Sequence, residues 1–293
     1  MTANTSHQSS LEAEIADLES RLRTARSRLN VSEAPSHSSP SQPVRRAQDE
    51  ALHALLLLSD SALPLGSFAF SSGLESYLAH HKLQTSTSAT SQAASFSIFL
   101  QLSLSTLAGT ALPYVLAGYR HPEQAETLDN DFDASTPCTV ARRASVAQGR
   151  ALLTVWDRSF KAKYNQNNAV GENIAADSLT AFSKTIRSSD EVNAHYAPLW
   201  GLVTRALAVP LHDAAYLFLF SHARTITSAA VRASVMGPYQ AQAVLAGSDL
   251  QQRINGLVED GWNTPIEDAG QSVPVMDLWV GRHEKLYSRI FNS

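Results

Sequence analysis

The sequence predicts an all-α fold: a single helical bundle domain behind a flexible N-terminal extension with room for one short coiled-coil helix. Three observations predict it. Apolar residues recur at spacings of three and four almost throughout from Ala47 onward, the period of a helix with one buried face. No stretch alternates apolar and polar residues over a strand's length. The interruptions carry proline, glycine or runs of Ser, Thr, Asn and Asp, which break helices rather than extend them. A chain of this size hides about 75% of its unfolded surface, and 44% apolar residues supply the core.

Residues 1–50 form the extension and 51–293 the bundle. Leu11, Ile15, Leu18, Leu22, Ala25 and Leu29 fall on one seam of a helix, with Glu12, Glu14, Glu19, Arg21, Arg23, Arg26 and Arg28 on its other faces. So short a helix is marginal alone, so a coiled coil, a docking helix and a fraying helix all stand. Residues 31–44, rich in Ser and Pro, read as a flexible tether. Residues 51–58 form a helix, Pro64 and Gly66 turn the chain, and Ser72 with Glu75 has capping-box spacing for a helix over 74–80. Phe68 and Phe70 are expected to pack in the corner between these two helices.

After a Ser/Thr spacer at 85–91, residues 93–117 form one long or broken helix with Pro113 as its kink or boundary. Residues 121–139, with Pro122 and Pro137 among acids and amides, read as a loop. A helix over 140–160 can turn Ala144, Ala147, Ala151, Leu152, Val155 and Trp156 to the core. Residues 164–178 are Asn-rich and read as a surface insertion, followed by helix from about 190 to 207, interrupted or bent near Pro198. The clearest element is 211–236: Pro210 precedes it, Asp213 and Arg232 suit its two poles, and Gly237-Pro238 stops it. Its second half, 223–234, is mostly Ala, Ser and Thr, which suits the centre of the bundle or a homodimer seam.

Composition removes several function classes. A formal charge of −4 gives no general attraction to nucleic acid or anionic lipid, and no uninterrupted apolar run nears the roughly 18 residues of a membrane span. The single Cys138 excludes an internal disulfide and a multi-cysteine metal site within one chain. Without a basic and then apolar leader, a soluble, cytoplasmic protein is expected. There is no Walker-type loop, dinucleotide fingerprint, HExxH or His pair at i, i+4. His80 and His81 read as a polar helix end; His195, His212, His222 and His283 are scattered; Cys138 lies in a Pro/Thr loop. Arg150, Arg158, Arg205, Arg224 and Arg232 lie in expected helices as salt-bridged or solvated residues, none assigned to a nucleotide. No catalytic residue, tightly bound cofactor or metal site is predicted.

Three segments carry a family resemblance. Residues 55–75, LLLLSDSALPLGSFAFSSGLE, join an apolar helix to a Pro/Gly turn and a second helix start. The chain ends RHEKLYSRIFNS from Arg282, and His195-Tyr196-Ala197-Pro198-Leu199-Trp200-Gly201 precedes the small-residue helix. In this order they resemble the UreF family of urease accessory proteins, over 51–293 and not the extension. Ala69 and Phe70 stand where Ser and Tyr are common, and Ile290 where Leu is. The resemblance implies a homodimeric helical protein bridging a urease-bound scaffold, UreH (UreD in many organisms), and the nickel-carrying GTPase UreG, whose cycle the family is proposed to influence. It implies that nickel is handled by the complex. It makes Arg282, His283, Glu284, Leu286, Tyr287, Arg289, Ile290 and Phe291 partner-binding residues, since the family's tail orders at the UreH interface. Pro64, Gly66, Phe68, Phe70, Gly73 and Glu75 form a shaped helix corner rather than a reaction centre. Packing of the tail on its own bundle also stands. The competing classes are a helical adaptor without a nickel role and a helical enzyme, the latter betrayed by a pocket with mutually oriented acid, base or nucleophile groups.

Overall fold

Helix follows helix from Gln42 to Arg282 in this computed structural model, which describes residues 15, 17–21, 42–82, 89–166, 173–189 and 191–292 and, among them, contains no strand. The chain falls into two units, 1–48 and 49–293. In the first, residues 15 and 17–21 are helical and exposed, with Arg21 and Asp17 3.9 Å apart one turn along. Leu11, Leu22, Ala25 and Leu29 of the predicted seam lie outside the described residues.

The first long helix, α1 (Gln42–Ser59), starts inside the predicted tether, with Pro43 in the first turn, where a missing N–H costs little. A bend and a 3₁₀ turn at Ser67–Ala69 lead to α2 (Leu74–Lys82). The predicted apolar helix is two: α3 (Ala89–Thr110) and α4 (Leu112–Arg120), parted at Ala111 so that Pro113 sits in the first turn of α4. By length and hydropathy residues 92–120 could cross a membrane, but 56% of the apolar window is buried in the bundle, as in a core helix.

Several expectations are corrected. The predicted loop 121–139 holds α5 (Ala125–Ser135), whose Ala125, Leu128 and Phe132 are buried at spacings of three and four; its turn-favouring acids hid that stripe. The insertion at 164–178 shrinks, because α7 (Lys161–Gln166) ends and α8 (Ile174–Ser188) begins within it, the Asn173 side chain accepting the Ala176 N–H at 3.1 Å as a cap. Pro198 does not bend a helix begun near 190; it lies in the first turn of α9 (Tyr196–Ala206). In α6 (Thr139–Val155), which runs into a π-turn at Trp156–Phe160, Ala147 is exposed while Leu152, Val155 and Trp156 are buried.

The centre is built from α4, α9 and α10 (Leu211–Arg232). A Cβ on Gly201 would lie 2.1 Å from the Val115 carbonyl oxygen, and one on Gly118 2.4 Å from that of Pro198, so α4 and α9 cross backbone to backbone. Ala223, Ile226, Ala229 and Ala230 are fully buried within the bundle, which places the small-residue run in this chain's own core. Helix α10 stops short of Met236 because Ser234 turns left-handed, φ 59°, and the Val235 N–H returns to the Ala230 carbonyl. Helices α11 (Pro238–Ala246), α12 (Ser248–Gly261) and α13 (Val275–Arg282) complete the bundle.

Candidate functional site

The corner and the tail, more than 200 residues apart in sequence, form one site. Gly66 (φ 70°) and Gly73 (φ 88°) take the left-handed turns that bring the chain round between α1 and α2, and a Cβ on Gly73 would meet the Val280 backbone of α13 at 3.0 Å. Glu75 does not close the predicted capping box. The Glu75 N–H reaches Ser71 Oγ at 3.4 Å, while its carboxylate crosses to the tail and accepts the N–H of Ile290 at 2.7 Å and of Phe291 at 3.2 Å. The Asn292 N–H adds a bond to the Ala69 carbonyl at 2.7 Å. His283 is fully buried, its Nε2–H donating to the Phe291 carbonyl at 3.0 Å; the carbonyl only accepts, which fixes the tautomer. Arg232 donates to the Phe68 carbonyl and holds its guanidinium 4.3 Å from the Phe291 ring centre. Burial there pushes its pKa down.

The tail is thus a strap with two faces. Phe291 is 4% exposed, against 107% for Tyr287 and 62% for Ile290. Arg282 and Arg289 are exposed, Leu286 is half-buried, and Glu284 pairs with Arg143 at 2.8 Å. His283, expected on a recognition surface, is internal, and Phe291 anchors the strap to its own bundle. Phe68, expected in the corner's packing, is 69% exposed, Pro64 is exposed, and Phe70 turns inward to line a cavity.

That cavity, about 340 Å³, is walled by α3, α6, α10 and α13, with Ser103, Thr106, Ser145, Ser221 and His222 among its lining. Burial pushes the His222 pKa down to about 4, so the imidazole is neutral where its Nε2 meets Ser103 Oγ at 2.8 Å. Thr106 Oγ1 and Ser221 Oγ are buried without a hydrogen-bond partner. Cys138 also lines this space. Among the described residues no group of three or more His, Cys, Asp or Glu is placed to hold a metal ion.

The third resembling segment starts α9 at a buried hub. Asp129 accepts the N–H groups of Asn193, Ala194 and His195 at 2.6, 3.1 and 2.5 Å, and the imidazole of His195 lies between Asp133 and Ser145. Of the five arginines considered from sequence, Arg150, Arg205, Arg224 and Arg232 each donate to a backbone carbonyl, and Arg158 is exposed. The hub and the Glu75 clasp escaped sequence reading because their partners lie 50 to more than 200 residues apart.

The fold and the corner define a helical protein whose one-sided strap presents apolar side chains to solvent. Comparison with known proteins places it further. The sequence model of the family UreF matches residues 90–249, a span that includes neither the corner nor the tail. A urease accessory protein UreF-like protein of Schizosaccharomyces pombe is 36% identical over 241 residues, 82% of this chain and 97% of that one. The urease accessory protein UreF of Paenarthrobacter aurescens is 30% identical over 242 residues, 82% and 97%, and urease accessory protein 6 of Cryptococcus neoformans 26% over 308, 83% and 97%. The chain belongs to the UreF family of urease accessory proteins.

Proposed function

We propose that this protein acts in urease maturation as a docking piece, bridging a urease-bound scaffold of the UreH/UreD kind and a nickel-carrying GTPase of the UreG kind. The observation that carries this reading is the strap: Glu75, His283 and Phe291 pin it, while Tyr287 and Ile290 stand in solvent. A pinned strap has already lost most of the freedom that binding would remove, so its exposed side chains are preorganised anchors. Phe68 on the corner, and Leu52, Leu56 and Leu57 on α1, are further exposed apolar groups a partner could cover. The contribution is binding geometry: nickel is handled by the complex without a tightly bound cofactor here, the GTPase cycle is influenced through linked affinities, and the protein works in the cytoplasm as a homodimer.

The test is a titration of the scaffold protein against Tyr287→Ala and Ile290→Ala, with the melting of each variant measured alone. Each should weaken binding by about 1 to 3 kcal/mol and leave melting unchanged; intact affinity in both would remove the strap's outer face from recognition.

A further inference from the structure

We infer that Ser145 is an activated nucleophile opening into the central cavity, able to take the acyl group of a small ester. Its Oγ lies 3.1 Å from Nδ1 of His195, whose Nε2 lies 2.9 Å from Oδ1 of Asp133. A carboxylate only accepts, so Nε2 carries the hydrogen and Nδ1 offers its lone pair to the serine hydroxyl. That is nucleophile, base and orienting acid within hydrogen-bond reach, the arrangement by which such sites are recognised whatever the fold or chain order. His195 is fully buried, Asp133 is braced by Arg142 Nε at 3.3 Å, and Ser145 is half-buried on the cavity wall.

The fold goes to some length to make this contact. Ala194, immediately before the histidine, is held at φ 68°, a strained conformation for a residue with a Cβ, and Asp129 fixes it through three backbone bonds. One turn beyond Ser145, Gly149 lets α6 close on the segment: a Cβ there would lie 2.0 Å from the Ala194 carbonyl oxygen. The Tyr196 N–H donates to Ser145 Oγ at 3.2 Å, so the serine sits at the N-terminus of α9. Ala197 in that first turn also lines the cavity, and a helix start leaves such N–H groups without intrahelical acceptors, donors suited to an oxyanion. A cavity of about 340 Å³ edged by Phe132, Leu107 and Met276 admits a small acyl ester.

In the reaction Ser145 Oγ bonds to the carbonyl carbon while its proton passes to His195 Nδ1. The intermediate collapses by breaking the bond to the leaving alkoxide, which takes that proton. Water, activated in the same way, then releases the acid and restores the hydroxyl.

The experiment treats the full chain with a fluorophosphonate, maps the adduct by mass spectrometry, and follows p-nitrophenyl acetate for a burst. One adduct at Ser145 is expected, absent from the urea-unfolded chain and from Ser145→Ala of verified fold, with the burst rate lowered about a hundredfold in Asp133→Asn. No adduct at Ser145 under conditions that saturate a reference serine esterase overturns the proposal, as does a burst that persists in Ser145→Ala. The wild-type map decides even if a variant fails to fold.

Discussion

The hub under His195 and the corner under the tail are held by one device: a helical carboxylate accepting backbone N–H groups of a distant, non-helical segment. Asp129 holds residues 193–195, and Glu75 holds 290 and 291. The two differ in what is left over. Asp129, Ala194 and His195 are all fully buried, so each polar group must find its partner inside the chain. The strap buries Phe291 and His283 and leaves Tyr287 and Ile290 outside. A clasp closed on all sides serves fold or chemistry within the chain; one closed on a single side has a face to offer.

The comparison makes its largest demand on Asp129. In Asp129→Asn an amide N–H2 replaces one of the two accepting oxygens and faces donors. Each buried N–H left without an acceptor costs about 1–3 kcal/mol, and at least one backbone N–H loses its acceptor, so the variant should lose about 1–3 kcal/mol or more in denaturant unfolding of the whole bundle. A loss below about 1 kcal/mol would mean that the segment reaches His195 without its clasp.

Glu75→Gln should act locally. It keeps one acceptor, and the bonds it weakens are worth about 1–3 kcal/mol, contributed by a strap at the end of the chain. Hydrogen exchange at the amides of Ile290 and Phe291 should quicken and the tail become open to protease, while the melting temperature moves little. If Glu75→Gln unfolds the bundle as Asp129→Asn does, the distinction between an internal and a one-sided clasp fails.

Within the strap the same contrast recurs between two rings. Phe291→Ala removes the anchor beneath Arg232 and should free the tail and weaken partner binding together, because the strap is then no longer preorganised. Tyr287→Ala should weaken binding alone, with stability inside about 0.5 kcal/mol of the parent, as for a surface change. Equal effects of the two on hydrogen exchange in the tail would deny the strap its two faces.

Much of this was legible before folding. The all-α class followed from period and punctuation, and the family resemblance lay on the residues that form the corner and start α9. Where reading failed, a long-range partner had overridden a local rule. Ser72 and Glu75 have the spacing of a capping box, yet the carboxylate goes to amides some 215 residues away. Helix α5 hid among acids that favour turns, and Asp129, a weak helix former, is the one the hub requires. Phe68 and Phe70 looked alike in sequence, but the left-handed turn at Gly66 aims one outward and the other at the cavity. Nothing in the spacing of Asp133, Ser145 and His195 announces that they meet.

The last effect, seen only in acid, concerns the histidine without a carboxylate clasp. His195 sets its Nε2 against Asp133, whereas His222 faces the neutral hydroxyl of Ser103 across the cavity wall, with Asp277 elsewhere in the same lining. Burial therefore lowers the His222 pKa to about 4, below the roughly 6.5 of an unfolded chain. Above pH 6.5 the ring is neutral in both states and contributes nothing to pH dependence. As the pH falls through 6.5 the unfolded chain takes up a proton that the folded one refuses, so stability declines until about pH 4, where the folded ring protonates as well. The ring adjoins a cavity that water can enter, so the loss should be about 1 to 2 kcal/mol rather than the full value of the shift. His222→Gln keeps a hydrogen-bonding side chain beside Ser103 and removes the titration. Denaturant unfolding at pH 7 and pH 4 should show the variant losing less stability than the parent by about that amount. An equal acid loss in both would mean that the cavity already lets His222 hold its proton.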